Sequence, residues 1–173
     1  MISRLRFIAL FGCFGMLFLA SCKNEPEAGV SNEVRDTSVL KNTKMADVTD
    51  KFVGKAENFM AGNTEVFVFK SQNSMDVYLS AAAAEGENLG AVDFTKNHVV
   101  AVILPKDPNT RRVVLRSVDK KPDGLYFVMN TESTNISNPI SRTVFLVTIP
   151  IEDNNGIVWA EVDGVKTGAT QIE

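Results

Sequence analysis

The run His98-Val99-Val100-Ala101-Val102-Ile103-Leu104 constrains the fold more than any other stretch of this chain. After His98 it is apolar at every position and rich in β-branched residues. Successive strand residues point to opposite faces, so a strand of this composition must be covered on both sides. It reads as a central strand over 98–104, stopped by Pro105. Further strands surround it in sequence: Glu65 to Lys70, Arg111 to Val118, Leu125 to Thr131, Arg142 to Ile149 and Ile157 to Val162. Turn chemistry separates them, with Lys-Lys-Pro-Asp-Gly at 120–124, Pro150, and Asp153-Asn154-Asn155-Gly156. The pattern predicts a mainly β (α+β) fold, an antiparallel meander sheet or a small sandwich or barrel, with one packed helix.

That helix is expected over 74–84. Ser71 or Asn73 offers an N-cap, Asp76 falls in the first turn, and Met75, Tyr78, Leu79 and Ala82 form an apolar stripe. Gly86 supplies a stop. Val48, Phe52, Val53 and Phe59 are candidate core residues on a short strand or a helical turn, and the tail after Gly164 is weakly patterned. The globular domain is set at 45–173, preceded by a polar tether from Cys22 to Lys44 with few large apolar side chains.

The first 21 residues are of another kind. Arg4 and Arg6 precede an unbroken apolar run, Phe7 to Leu19, which is too short to span a bilayer permanently. Small residues follow, as in a secretory signal. Leu19-Ala20-Ser21-Cys22 also resembles the lipobox of bacterial lipoproteins. The resemblance implies cleavage before Cys22, a diacylglycerol on its thiol and acylation, typically with palmitate, of the new amino group. Each buried methylene contributes about 0.8 kcal/mol, and two or more acyl chains hold a protein on a membrane. The residues after the Cys, Lys23-Asn24-Glu25-Pro26-Glu27, lack the Asp that retains enterobacterial lipoproteins at the inner membrane. They resemble surface-export signals of Bacteroidetes lipoproteins. An outer-membrane lipoprotein is therefore expected, on the periplasmic or surface face. Without the Cys, the same segment reads as a plain signal peptide or an N-terminal helical anchor.

Beyond the signal, sixteen basic residues face twenty-one acidic ones, a net charge of −5, which gives no electrostatic footprint for nucleic acid. Cys13 leaves with the signal and Cys22 is committed to lipid, so disulfides, thiol nucleophiles and Cys-based metal sites are excluded. His98 is the only histidine and reads as a packed or edge residue, and no Gly-x-Ser-x-Gly elbow is present. Asp153 to Gly156 is too short a loop to supply six to eight calcium ligands and is a turn. Asn135-Ile136-Ser137 is a formal glycosylation sequon that the bacterial signal makes irrelevant. Asp119, Asp123, Glu132 and Glu161 are scattered along strands and turns as solvated carboxylates. The expectation is no catalytic residue, no metal and no cofactor.

A second resemblance covers roughly residues 65–150. Val68 to Tyr78, then Val92-Asp93-Phe94, then Val99 to Leu104, resemble the C-terminal domain of protease-complex accessory lipoproteins of the PrcB type. In that family a strand and helix precede a Val-Asp-Phe motif, a β-branched strand and a turn with Pro, Thr and Gly. The resemblance implies binding to or stabilising another protein, not catalysis. Where the family tends to carry Pro-Thr-Gly-Gly-Tyr, this chain has Lys106-Asp107-Pro108-Asn109-Thr110-Arg111-Arg112.

In an up-and-down meander the loops 105–110 and 132–141 share one end of the sheet. That end gathers Arg111, Arg112, Asn135, Asn138 and Arg142, and Arg is enriched where protein partners dock. These five residues are the expected contacts for another envelope protein. A different class of function, an envelope hydrolase acting on glycan or peptide through carboxylates, stands as the alternative. It requires two acids facing each other across a cleft.

Overall fold

The computed structural model describes residues 36–49, 52–55, 58–59, 62–81, 92–105, 111–133 and 142–173. In chain order the elements are β1 (Ala46–Asp47), β2 (Phe52–Gly54), β3 (Glu65–Phe69), α1 (Gln72–Tyr78), β4 (Leu79–Ala81), β5 (Asn97–Ile103) and β6 (Arg111–Lys121). They continue with β7 (Gly124–Ser133), β8 (Val144–Pro150), β9 (Ile157–Val162), β10 (Val165–Gly168) and β11 (Thr170–Ile172). Short 3-10 turns occupy Ser38–Asn42 and Ile151–Asp153.

The apolar run is the middle of the molecule. β5 is the third strand of a five-stranded sheet ordered β1-β8-β5-β3-β11, and Val99 to Ile103 are all buried. Its alternation divides between two cores. Val100, Val102 and Leu104 pack with Val66, Val68, Phe145 and Val147 against a second, four-stranded sheet ordered β10-β9-β7-β6. Val99, Ala101 and Ile103 turn the other way and pack with Phe67, Phe69, Leu146, Met75 and Leu79. That outer side is closed by α1, by the small β2–β4 pair, and by Val48, Phe52 and Phe59. The candidate core residues Val48, Phe52 and Phe59 are therefore buried. At about 1.5–3 kcal/mol for each fully buried Val, Leu, Ile or Phe, the five consecutive buried positions of β5 are a major source of stability.

Among the described residues the fold is mainly β, with two open, packed sheets and one helix, and no closed barrel. Its strand order is not that of a single up-and-down sheet. Hairpins join β6 to β7 and β9 to β10, but the chain changes sheet between β5 and β6, between β7 and β8, and between β8 and β9. Two pairings are parallel, β7 with β9 and β3 with β11. The hydrophobic pattern specified which faces are buried, and several strand orders satisfy that requirement equally.

The helix is shorter than 74–84 and starts earlier. Ser71 caps it: its hydroxyl accepts from the Ser74 amide, while the Ser71 amide donates to the Ser74 hydroxyl. With this cap Asp76 lies beyond the first turn. At Leu79 the backbone turns extended (φ −126°, ψ 150°) and enters β4, pairing with Gly54. The sheet ladder to β2 overrides the helical spacing of Tyr78, Leu79 and Ala82. Ala82 and Gly86 lie outside the described residues.

The weakly patterned tail is also structured. Asp163 (φ 50°) and Gly164 (φ 82°) form a two-residue turn between β9 and β10. Both central residues have positive φ, the requirement of the type I′ hairpin, and Asp-Gly suits it. After Gly168 the strand crosses to the other sheet as β11, so one continuous segment edges both layers.

Candidate functional site

Two clefts lie where the sheets part. Ile103 at the end of β5 pairs with Glu65 at the start of β3 and with Val144 at the start of β8. In the other sheet, Arg111 at the start of β6 pairs with Ser133 at the end of β7. The chain thus leaves β5 for β6 and leaves β7 for β8 at one end of the molecule. The polar loops expected to cluster here lie for the most part outside the described residues, and the crossings they make join different sheets.

At this end opens a cleft of about 540 Å³. Its lining includes Asn63, Thr64, Leu104, Pro105, Thr131, Asp163, Val165 and Thr167. The carboxylate in it is already engaged: the Thr131 amide donates to Asp163 Oδ1 at 2.8 Å and the Thr131 hydroxyl to Oδ2 at 2.5 Å. These bonds tie the β9–β10 turn to β7 across the mouth. A second cleft of about 310 Å³ shares Thr64 and Thr167 with the first and continues past Glu65, Val66, Gly168 and Thr170. Together they make one trough along the seam between β3 and β10. Glu65 is buried there and faces Arg142, with Nη1 3.5 Å from Oε2. The trough therefore presents hydroxyls, amides, aliphatic surface and the rings of Phe67 and Tyr78, with Asp163 and Glu65 held by internal partners.

The expected contact residues divide among several environments. Arg111 and Arg112 open β6, opposite Ser133 and Glu132. Cys22, Asn135 and Asn138 lie outside the described residues. Arg142 is not on the surface. It is buried, its guanidinium paired with Glu65 and 6.0 Å from the Phe59 ring centre. The sequence placed it at the polar edge of a loop, but ahead of β8 it meets Glu65 across the end of β5 and is enclosed there beside Phe59. Its charge is directed to Glu65 and the Phe59 ring. The sequence reading missed Asp163 and Val165. The Asp-Gly pair between Val162 and Val165 is the hairpin signal that would have found them.

Several other ionisable groups among the described residues have internal partners. The Asp93 carboxyl is held below its usual range, first by the Thr95 hydroxyl and then by Lys96. The Tyr126 hydroxyl, donating at 2.5 Å, does the same for Asp123, and Lys44 does so for Glu152. Arg116 pairs with Glu132 at 3.3 Å, and Asp119 accepts from Ser117. His98 is shifted down, chiefly by burial and then by the Lys70 charge, with Glu173 opposing. Its Nδ1 lies 2.8 Å from Asn154 Nδ2, so the amide donates to the neutral ring. Among the described residues no group of three or more His, Cys, Asp or Glu gathers as a metal site. No described helix is long and apolar enough to cross a membrane.

The opposite face of the four-stranded sheet carries an aromatic pair. Tyr126 and Trp159, directly opposite on β7 and β9, stack at 6.3 Å and 19°. Lys166 Nζ lies 4.0 Å from the Trp159 ring centre and 4.6 Å from that of Tyr126. Trp159 also lies over Gly168, its cross-strand partner, where a Cβ would come within 3.0 Å of the indole. The indole fills the space that glycine leaves and the ammonium caps the rings, which explains the cluster as a sheet-stabilising device. Against this fold and these clefts, comparison with family models, curated proteins and solved structures finds no match.

Proposed function

We propose that this chain is a lipid-anchored cell-envelope protein that acts as a non-catalytic protein-binding or accessory module, such as one that stabilises a protease complex. Cys22 holds it on the outer membrane, as the Leu19-Ala20-Ser21-Cys22 resemblance implies. The observation that carries the binding reading is the trough between the sheets. It is lined by hydroxyls, amides, aliphatic groups and the aromatic Phe67 and Tyr78, and Asp163 and Glu65 are engaged by Thr131 and Arg142. A hydrolase acting through carboxylates needs an acid held protonated near neutral pH. Among the described residues, the carboxyls with displaced titration, Asp93, Asp123 and Glu152, are pushed the opposite way.

The test has two parts. Cys22→Ser should move the protein from membranes to the soluble envelope fraction or block signal removal. Membrane retention at wild-type level after detergent-free fractionation would exclude the lipid anchor. Crosslinking in native membranes, followed by purification and mass spectrometry, should recover one envelope protein in stoichiometric amount. Recovery of no specific partner, together with turnover of a glycan or peptide substrate by the purified protein, would replace this reading with the enzymatic one.

A further inference from the structure

We infer that the outer face of the four-stranded sheet rests on the zwitterionic phospholipid headgroups of the membrane that holds Cys22. This rests on the lipid-anchor reading above and is independent of what the trough binds. The first observation is where the chain enters the domain. The Asp36 carbonyl accepts from the Leu115 amide at 3.2 Å, and Asp36 bridges Val114. The segment leading from Cys22 therefore joins the domain at the β6 edge of this sheet. Fourteen residues separate Cys22 from Asp36, a span of at most about 50 Å. A lipid on Cys22 would make a second membrane contact intramolecular, and for short linkers the effective concentration is on the order of 1 mM. A face too weak to hold a free protein then suffices to orient a tethered one.

The second observation is the make-up of the face. Tyr126, Val128, Ile157 and Trp159 alternate with core residues along β7 and β9, and none of the four belongs to either core. Ile157 is 50% exposed. Trp and Tyr, each with an apolar body and a polar tip, favour the boundary between headgroups and acyl chains. Lys166 lies over both rings, and Lys121 Nζ lies 4.1 Å from the Tyr126 ring centre. Such side chains lay their methylenes along apolar surface and carry their charged ends to the polar side of an interface.

The third observation is charge. Asp119 lies opposite Tyr126, Glu161 lies opposite Lys166, and the Tyr126 hydroxyl donates to Asp123. Two ammonium groups and three carboxylates thus surround the rings. A zwitterionic headgroup offers a phosphate to the first and an ammonium to the second, whereas a wholly anionic surface would meet repulsion from the carboxylates. In the five-stranded sheet, by contrast, both faces are already covered. The trough opens on the inner side of the four-stranded sheet, beside Val162 of the core, so a partner can enter it while the outer wall faces lipid.

Trp159 is the only tryptophan, so intrinsic fluorescence reads this face directly. The sample is the protein purified from membranes and reconstituted into phosphatidylcholine–phosphatidylethanolamine vesicles, with its mass reporting lipid on Cys22. Trp159 should lose about half or more of its emission to a lipid carrying a nitroxide on its headgroup. Acrylamide access should fall about twofold or more relative to soluble Cys22→Ser. Ile157→Glu, at an exposed position, should keep the lipid and the melting temperature and should restore the emission. Val165→Glu, 65% exposed at the trough mouth, should leave quenching as in wild type. The inference is overturned if the lipidated protein is not quenched, if Ile157→Glu is quenched as strongly as wild type, or if Val165→Glu relieves quenching equally. It is also overturned if vesicles leave acrylamide access unchanged while the crosslinked envelope partner or a cell-wall glycan lowers it. A mass without lipid on Cys22 removes the anchor reading and this inference with it. Lipid on Cys22 with Trp159 unquenched removes the inference alone.

Discussion

The two sheets use the same residue types for different ends. In the five-stranded sheet, β3, β5 and β8 are buried at nearly every position, because the second sheet covers one face and α1, β2 and β4 cover the other. In the four-stranded sheet, β7 and β9 alternate between buried Leu125, Phe127, Met129, Val158 and Ala160 and the outward Tyr126, Val128, Trp159 and Glu161. One sheet is a filling between layers and the other is an outer wall. Stability is concentrated in the first, while the second has freedom to carry surface chemistry.

The sharpest test of that difference is one substitution made on each sheet. Val102 is 1% exposed in β5, and Val102→Asp buries a charge with no partner. A cost of several kcal/mol is expected, with no cooperative unfolding transition left in calorimetry. Val128→Asp, on the outer face of β7, should cost about 1 kcal/mol or less and retain a sharp transition. Equal losses would mean that the outer face is covered in solution.

The buried ion pair ranks next. Arg142→Ala should cost about 3–5 kcal/mol in denaturant unfolding, because Glu65 remains enclosed without its counter-charge. Arg142→Ala together with Glu65→Gln should recover much of this. A loss below about 1 kcal/mol for the single change would return Arg142 to the surface.

Two glycines compare a close approach with a backbone conformation. A Cβ at Gly124 would lie 1.8 Å from the Ile157 carbonyl oxygen, so Gly124→Ala must separate the parallel pair β7–β9. About 2–4 kcal/mol is expected from thermal melts. At Gly164 (φ 82°) a Cβ meets nothing within 4 Å, and Gly164→Ala should cost only about 1–2 kcal/mol of left-handed strain. The reverse order would show that β9 does not pair with β7.

The smallest effect is a pH dependence. The folded pKa of His98 lies below its ordinary 6.5, so the unfolded chain takes up the proton first. Its contribution is fully present above pH 6.5 and is lost as pH falls through the folded value. Lys70 and Glu173 are the charges that act on the ring. His98→Gln, which keeps an acceptor for Asn154 without titrating, should lose less stability than wild type between about pH 7 and about pH 5.5. Identical slopes would mean that His98 is solvated.

Part of the fold was legible in the residues themselves. The unbroken run from Val99 to Leu104 requires cover on two faces, and the alternation in β7 and β9 requires cover on one. Pro122-Asp123 ends β6, and Ser71 followed by Ser74 starts α1. These are local matters of period, turn conformation and capping, and they hold in any chain with those residues. The proposed anchor at Cys22 likewise rests on short-range sequence, since its chemistry would need no fold. Tertiary structure decided the rest, because pairing depends on segments far apart in the chain. The residues of Leu79 to Ala81 suit a helix, but β2 lies beside them and draws them into a ladder. Arg142 suits a loop rim, but β3 and Phe59 enclose it. The trough has no sequence signature at all. It arises where β11 falls short of the start of β3 and β10 stands across from it, a consequence of one strand serving two sheets.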